Sequence, residues 1–146
     1  MTELDKFYID GAWVRPAVPS SMDLIDPATE EVYGRLALGS ASDVNDAVKA
    51  ARRAAPSYAA TTVGERMALL RRILDAYNRR YGEFAEAMRL EMGSPITFAT
   101  NGQAARGPAH LNALLRVLET FAFEADQGST RLRYEPVGVC GLITPW

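Results

Sequence analysis

Val137-Gly138-Val139-Cys140-Gly141-Leu142-Ile143 is apolar from end to end, and these seven residues decide how the rest of the chain is read. The run has the length of a strand and falls far short of the ~20 residues a membrane helix needs. Apolar character without polar alternation suits a strand covered on both faces, as in the sheet of an α/β protein. Just upstream, Thr130, Leu132 and Tyr134 alternate with Arg131, Arg133 and Glu135, the period of a half-exposed strand, and Pro136 separates the two segments. A doubly covered strand needs neighbouring strands and covering helices. Pattern alone therefore predicts a chain that carries only part of an α/β architecture.

Upstream of this run the pattern is helical. Ser40-Ala41-Ser42-Asp43 and Thr62-Val63-Gly64-Glu65 have the form of capping boxes. Behind the first, Val44, Ala47, Val48 and Ala51 share a face until Pro56, where the helix is expected to end. Behind the second, Leu69, Leu70, Ile73, Leu74 and Tyr77 form an apolar stripe; Phe84, Ala85, Met88 and Met92 form another that closes at Gly93. Ser94-Pro95 reads as a cap with proline in the first turn of a short helix. Gly107-Pro108 starts the next helix, whose buried face is expected to be Leu111, Leu114, Leu115, Leu118 and Phe121.

The N-terminal part is extended. Phe7-Tyr8-Ile9 and Ala12-Trp13-Val14 flank Asp10-Gly11, the pair that a type I′ hairpin turn demands. Leu24-Ile25 and Val32-Tyr33-Gly34-Arg35-Leu36 flank Asp26-Pro27-Ala28-Thr29-Glu30, a second turn. Short strand pairs are marginal alone, so both are expected to lean on something larger.

The chain has 146 residues, 48% hydrophobic and 23% charged, a globular balance. With 16 Lys plus Arg against 18 Asp plus Glu, the formal net charge of −2 gives no general reason to expect nucleic acid or an acidic membrane as partner. The pairs Arg52-Arg53, Arg71-Arg72 and Arg79-Arg80 read as solvated helix faces. The polar start lacks the apolar core of a signal peptide, and a single cysteine forms no internal disulfide, so the cytoplasm is the expected compartment.

Few residues invite a chemical role. One His and one Cys make no zinc set, and no G-x-G-x-x-G or Walker-type loop occurs. His110 reads as a surface residue near a helix start. Cys140 lies mid-run with no base adjacent in sequence, so it reads as a small core residue rather than a nucleophile.

Tyr134 to Trp146, taken as a whole, resembles the EPxGVxGxIxPWN segment of the aldehyde dehydrogenase superfamily. Phe7-Tyr8-Ile9-Asp10-Gly11-Ala12-Trp13 resembles that family's opening INGxW hairpin, Asp26 to Val32 its NPATGEV turn, and Glu91-Met92-Gly93-Ser94-Pro95 its ExGKP helix end. The resemblance covers nearly all of this chain but only the first third or so of a typical member. Ser94 stands where Lys is common and Glu30 where Gly is common, and the stretch from Glu124 to Thr130 is short for the arm before the family's oligomerisation strands.

The resemblance implies a Rossmann-type α/β fold in three parts. Residues 1–128 would form hairpins and a helical layer of the cofactor-binding domain, 129–136 the start of an oligomerisation strand, and 137–146 the first core strand. It further implies that Ile143, Thr144, Pro145 and Trp146 line the NAD or NADP cleft at the strand's carboxyl end, where open α/β sheets bind ligands. The implied reaction oxidises an aldehyde through a cysteine thioester, with hydride passed to the nicotinamide. The oxyanion Asn, the nucleophile and the general base of that reaction would all lie beyond Trp146. The chain alone is thus expected to be inactive, and the full-length enzyme to be a homo-oligomer acting on a small-molecule aldehyde. Two other readings stay open: an inactive binding module of the same descent, and an acylating or semialdehyde-specific branch of the superfamily.

Overall fold

A computed structural model describes residues 2–144. It begins with five short strands: β1 (Thr2–Leu4), β2 (Phe7–Ile9), β3 (Ala12–Val14), β4 (Ser21–Ile25) and β5 (Val32–Ala37). β2 and β3 form the expected hairpin, Phe7 opposite Val14, with positive φ at both Asp10 (55°) and Gly11 (79°). β4 and β5 are antiparallel around the second turn, and β1 pairs parallel to β5 on its other side. Sequence reading missed β1, because Thr2-Glu3-Leu4 is too short and polar to show a period.

The turn between β4 and β5 is organised by Asp26, 6% exposed. Its Oδ1 accepts from Ala28 N–H at 2.8 Å, its carbonyl accepts from Glu30 N–H at 2.8 Å, and its own N–H donates to the Glu31 carbonyl at 2.9 Å. Glu30 is held at φ 61°, left-handed backbone that favours Gly, in the slot where the resembled turn often has Gly.

Helices α1 (Ala41–Ala59), α2 (Val63–Arg79) and α3 (Tyr81–Met92) follow. The α2 box is complete: Thr62 Oγ1 accepts from Glu65 N–H, and the Glu65 carboxylate accepts from Thr62 N–H at 2.7 Å. At α1, Asp43 does more than close a cap. Its carboxylate accepts from the N–H and hydroxyl of Ser40 at 2.8 and 2.7 Å, and from Ala17 N–H at 2.8 Å, tying the loop after β3 to the helix start.

Those bonds from Ser40 and Ala17 hold the Asp43 carboxyl below its usual value. A depressed folded-state pKa stabilises the fold above the ordinary carboxylate range, and this contribution disappears as pH falls through the depressed value. Asp43→Asn should therefore melt below the parent at about pH 7, and the gap should narrow toward about pH 3. Melting temperatures of both proteins across that range provide the check.

Two helix boundaries differ from expectation. α1 passes through Pro56 to Ala59. Proline in the last turn removes one donor, and the turn beyond it is closed by Ala60 N–H on the Pro56 carbonyl and by the Ser57 hydroxyl on the Ala54 carbonyl. Pro95 lies outside α4 (Ile96–Phe98) as its cap, with ψ 134°, and its carbonyl accepts from Phe98 and Ala99 N–H. α4 runs into a π-helical turn (Ala99–Ala104) that the sequence does not announce, then α5 (Arg106–Thr120). A hairpin, β6 (Glu124–Gln127) and β7 (Thr130–Arg133), turns at Gly128 with φ 62°.

The core is thin. Met67, Ala85, Ala99, Ala104 and Leu115 are its buried apolar residues, two of them alanines at 0% exposure. Leu115 and Met67 confirm α5 and α2 as the packed pair, while Ile73, Leu114, Phe121 and Val44 of the expected apolar faces stay 42–60% exposed. The accessible surface is 11020 Å²; a folded monomer of this size shows roughly 7,400 Å². The architecture thus leaves open much of the apolar surface its periodicity was written to cover.

Candidate functional site

The segment implicated by sequence, 137–143, forms no strand in this chain. Val137 and Ile143 are 97% exposed and Leu142 is 89% exposed. The reason is physical: the segment joins neither the β1-β5-β4 sheet nor either hairpin, and an unpaired strand has no ladder to hold it. Gly138 takes φ 114°, outside strand geometry. Cys140 is exposed rather than buried, its Sγ 3.7 Å from the Gly138 carbonyl.

Of the expected cofactor residues, Ile143 and Thr144 are exposed and Pro145 and Trp146 lie outside the described residues. His110 is exposed on α5. Among the described residues there is no cluster of three or more His, Cys, Asp or Glu placed to hold a metal ion, and no helix long and apolar enough to cross a membrane.

A cleft of about 680 Å³ opens at the root of this segment, between the α1–α2 junction and the base of the β6–β7 hairpin. Tyr58, Arg66, Phe123, Arg133, Tyr134 and Pro136 are among its walls. At its rim, the N–H and hydroxyl of Thr62 hold the Glu65 carboxyl below its usual value. The Arg66 guanidinium lies 5.9 Å from the ring centroids of both Tyr58 and Phe123. Phe121 stands edge-on to Phe123 and to Tyr134, at 4.9 and 5.4 Å. Sequence reading passed over this group because its members are scattered over α1, α2, β7 and the segments flanking the hairpin. Aromatic residues at 121, 123 and 134 around one Arg were the available signal.

Mixed strands and hairpins, a helical layer, and an apolar tail that joins no sheet define the class: a mixed α/β fold. The aldehyde dehydrogenase family profile matches residues 13–146, and the chain belongs to that family. It is 41% identical, over its whole length, to 3-succinoylsemialdehyde-pyridine dehydrogenase of a Pseudomonas species, of which it covers 31%. Among solved structures, aldehyde dehydrogenase C of Pseudomonas syringae, a mutant in complex with NAD+ and octanal, matches 97% of this chain. The identity is 42% and the TM-score 0.94, over 29% of that chain. An aldehyde dehydrogenase of Mycobacterium tuberculosis complexed with NAD+ matches 93% at 25% identity and TM-score 0.85, again over 29% of that chain. The present chain therefore spans about 31% of the length of the curated relative. The expected α/β fold and family resemblance both stand.

Proposed function

We propose that this chain supplies the N-terminal portion of the cofactor-binding domain of an enzyme that oxidises an aldehyde to a carboxylic acid with NAD(P)+, through a cysteine thioester. NAD+ is the favoured cofactor, since it is the one bound in the Pseudomonas syringae and Mycobacterium tuberculosis structures. The observation that carries the reading is the TM-score of 0.94 over 97% of the chain against an aldehyde dehydrogenase holding NAD+ and octanal. In this reading Ile143, Thr144, Pro145 and Trp146 contribute one wall of the dinucleotide cleft. The rest of that wall, and the partners of strand 137–143, come from the part of the relatives that this chain does not span.

The proposed division is 1–128 for hairpins and helical layer, 129–136 for the oligomerisation strand and 137–146 for the first core strand. The β6–β7 pairing, Glu124 opposite Arg133, straddles the first of these boundaries. Homo-oligomerisation through that exposed hairpin, a cytoplasmic location and a small-molecule aldehyde substrate complete the proposal. The exposed apolar tail supports it, because a self-sufficient module would cover such residues.

No base adjoins Cys140 in sequence, and its Sγ meets the Gly138 carbonyl, so purified chain mixed with octanal and NAD+ or NADP+ should reduce neither above the blank. The chain should also bind a hydrophobic dye strongly through its open apolar surface. Aldehyde-dependent formation of NADH or NADPH would refute the claim that the chemistry lies elsewhere. A compact monomer that leaves the dye dark would refute the partial-domain reading.

A further inference from the structure

The β6–β7 hairpin has little support from the rest of the fold. Every residue of both strands is exposed, and neither strand joins another sheet. A lone two-stranded hairpin is marginal in water, so something must hold its base. The base is closed by Tyr134 N–H donating to the Phe123 carbonyl at 2.9 Å, one step beyond the strand ladder. Among the described residues, the charged side chain of the helical body that lies over an aromatic ring there is Arg66.

We infer that Arg66 is a positioning residue: its guanidinium, set beside the rings of Tyr58 and Phe123, locks the hairpin base and the segment after it onto the α1–α2 junction. Arg66 is oriented before it meets Phe123. Its Nε donates to Thr61 Oγ1 at 3.0 Å and a terminal nitrogen donates to the Ala59 carbonyl at 3.0 Å, which fixes the plane of the group. Both ring centroids then lie 5.9 Å from its central carbon, within the range of cation–π attraction. Around these contacts the cleft is open, so little other packing competes for the role.

Lysine cannot reproduce the arrangement. A point charge on a flexible stem has no plane to orient and no fork with which to hold Ala59 and Thr61 together. The consequence for a cofactor wall at 143–146 rests on the proposed function. The anchoring does not, and the test reads anchoring alone.

Amide hydrogen exchange of the 146-residue chain makes the measurement. In Arg66→Met and in Arg66→Lys, the Tyr134 amide and the β6–β7 ladder should exchange about fivefold faster, while amides of α3 and the π-helical turn keep their rates. Phe123→Leu, placed outside the buried core, should give the same pattern. Adding Arg66→Met to it should then change hairpin exchange no further, as expected for two partners in one contact. Should Arg66→Met fail to fold, Arg66→Lys and Phe123→Leu still carry the comparison. Unchanged hairpin exchange, equal acceleration throughout the helices, full rescue by lysine, or additive effects of the two substitutions would each overturn the assignment.

Discussion

Gly107→Val should cost the fold about 3 kcal/mol, in the range for forcing extra carbons into a packed contact. A Cβ at this position of α5 would stand 2.5 Å from Tyr77 Cζ, 2.7 Å from its Cε2 and 2.8 Å from its hydroxyl oxygen. Those atoms cannot simply swing away. The Tyr77 ring is stacked on Phe84, centroids 4.1 Å apart and planes within 7°, and its hydroxyl donates to the Ala104 carbonyl at 2.9 Å. Moving the ring breaks the stack and leaves a carbonyl in the π-helical turn without its donor. Moving α5 separates the α2–α5 pair that buries Leu115 and Met67, the largest side chains in the core. Gly107 is thus retained in a helix, where it is worth less than Ala, because two helices meet through it. Thermal melts should show the loss. The control reverses sign: with Tyr77→Ala already in place, Gly107→Ala should be neutral or stabilising by up to about 1 kcal/mol, the ordinary advantage of Ala over Gly in a helix. A Gly107→Val protein that melts with the parent would show that the helices do not approach this closely.

What could be read in advance follows from how local each cause is. The Asp10-Gly11 hairpin, the Thr62 box and the Gly93 helix end each depend on a few consecutive residues, and each stands in the structure. The π-helical turn at Ala99–Ala104 was illegible because it depends on how α3, α4 and α5 pack; its alanines at 99 and 104 are fully buried and carry no period of their own. Segment 137–143 is the converse. Its composition is plain, yet a strand is a relation between segments, and among residues 2–144 it pairs with none. The candidate site divides in the same way. The resemblance of 134–146 to a cofactor-cleft segment was available from sequence, whereas the Arg66 group came only from bringing α1, α2 and the hairpin together. Glu30 carries a narrower lesson: a departure from the resembled turn, harmless by composition, falls at φ 61°, where a side chain is strained.

Gly93→Val should also lose about 3 kcal/mol, for two separable reasons. Gly93 ends α3 in left-handed conformation, φ 65° and ψ 18°, with its N–H on the Arg89 carbonyl at 3.0 Å. A β-branched residue is a steric outlier at that φ, and the helix end cannot change its turn without releasing the bond. The second reason is Pro27. A Cβ at Gly93 would lie 2.9 Å from Pro27 Cγ and 3.5 Å from its Cβ, so the substitution also pushes the β4–β5 turn off the end of α3. The turn resists, because Asp26 fixes its backbone and Arg89 holds the Asp26 carboxylate at 4.0 Å. Gly93→Asn separates the causes, since Asn tolerates left-handed backbone but still carries a Cβ. It should recover roughly 1 kcal/mol of the loss in the parent, and more when Pro27→Ala clears the contact. Melting temperatures of the two single and the paired substitutions decide it. If Asn restores full stability without any change at Pro27, the docking of the turn on α3 contributes nothing, and the strand layer is held to the helices through α1, by the Asp43 bond to Ala17 and the Arg53–Asp10 ion pair.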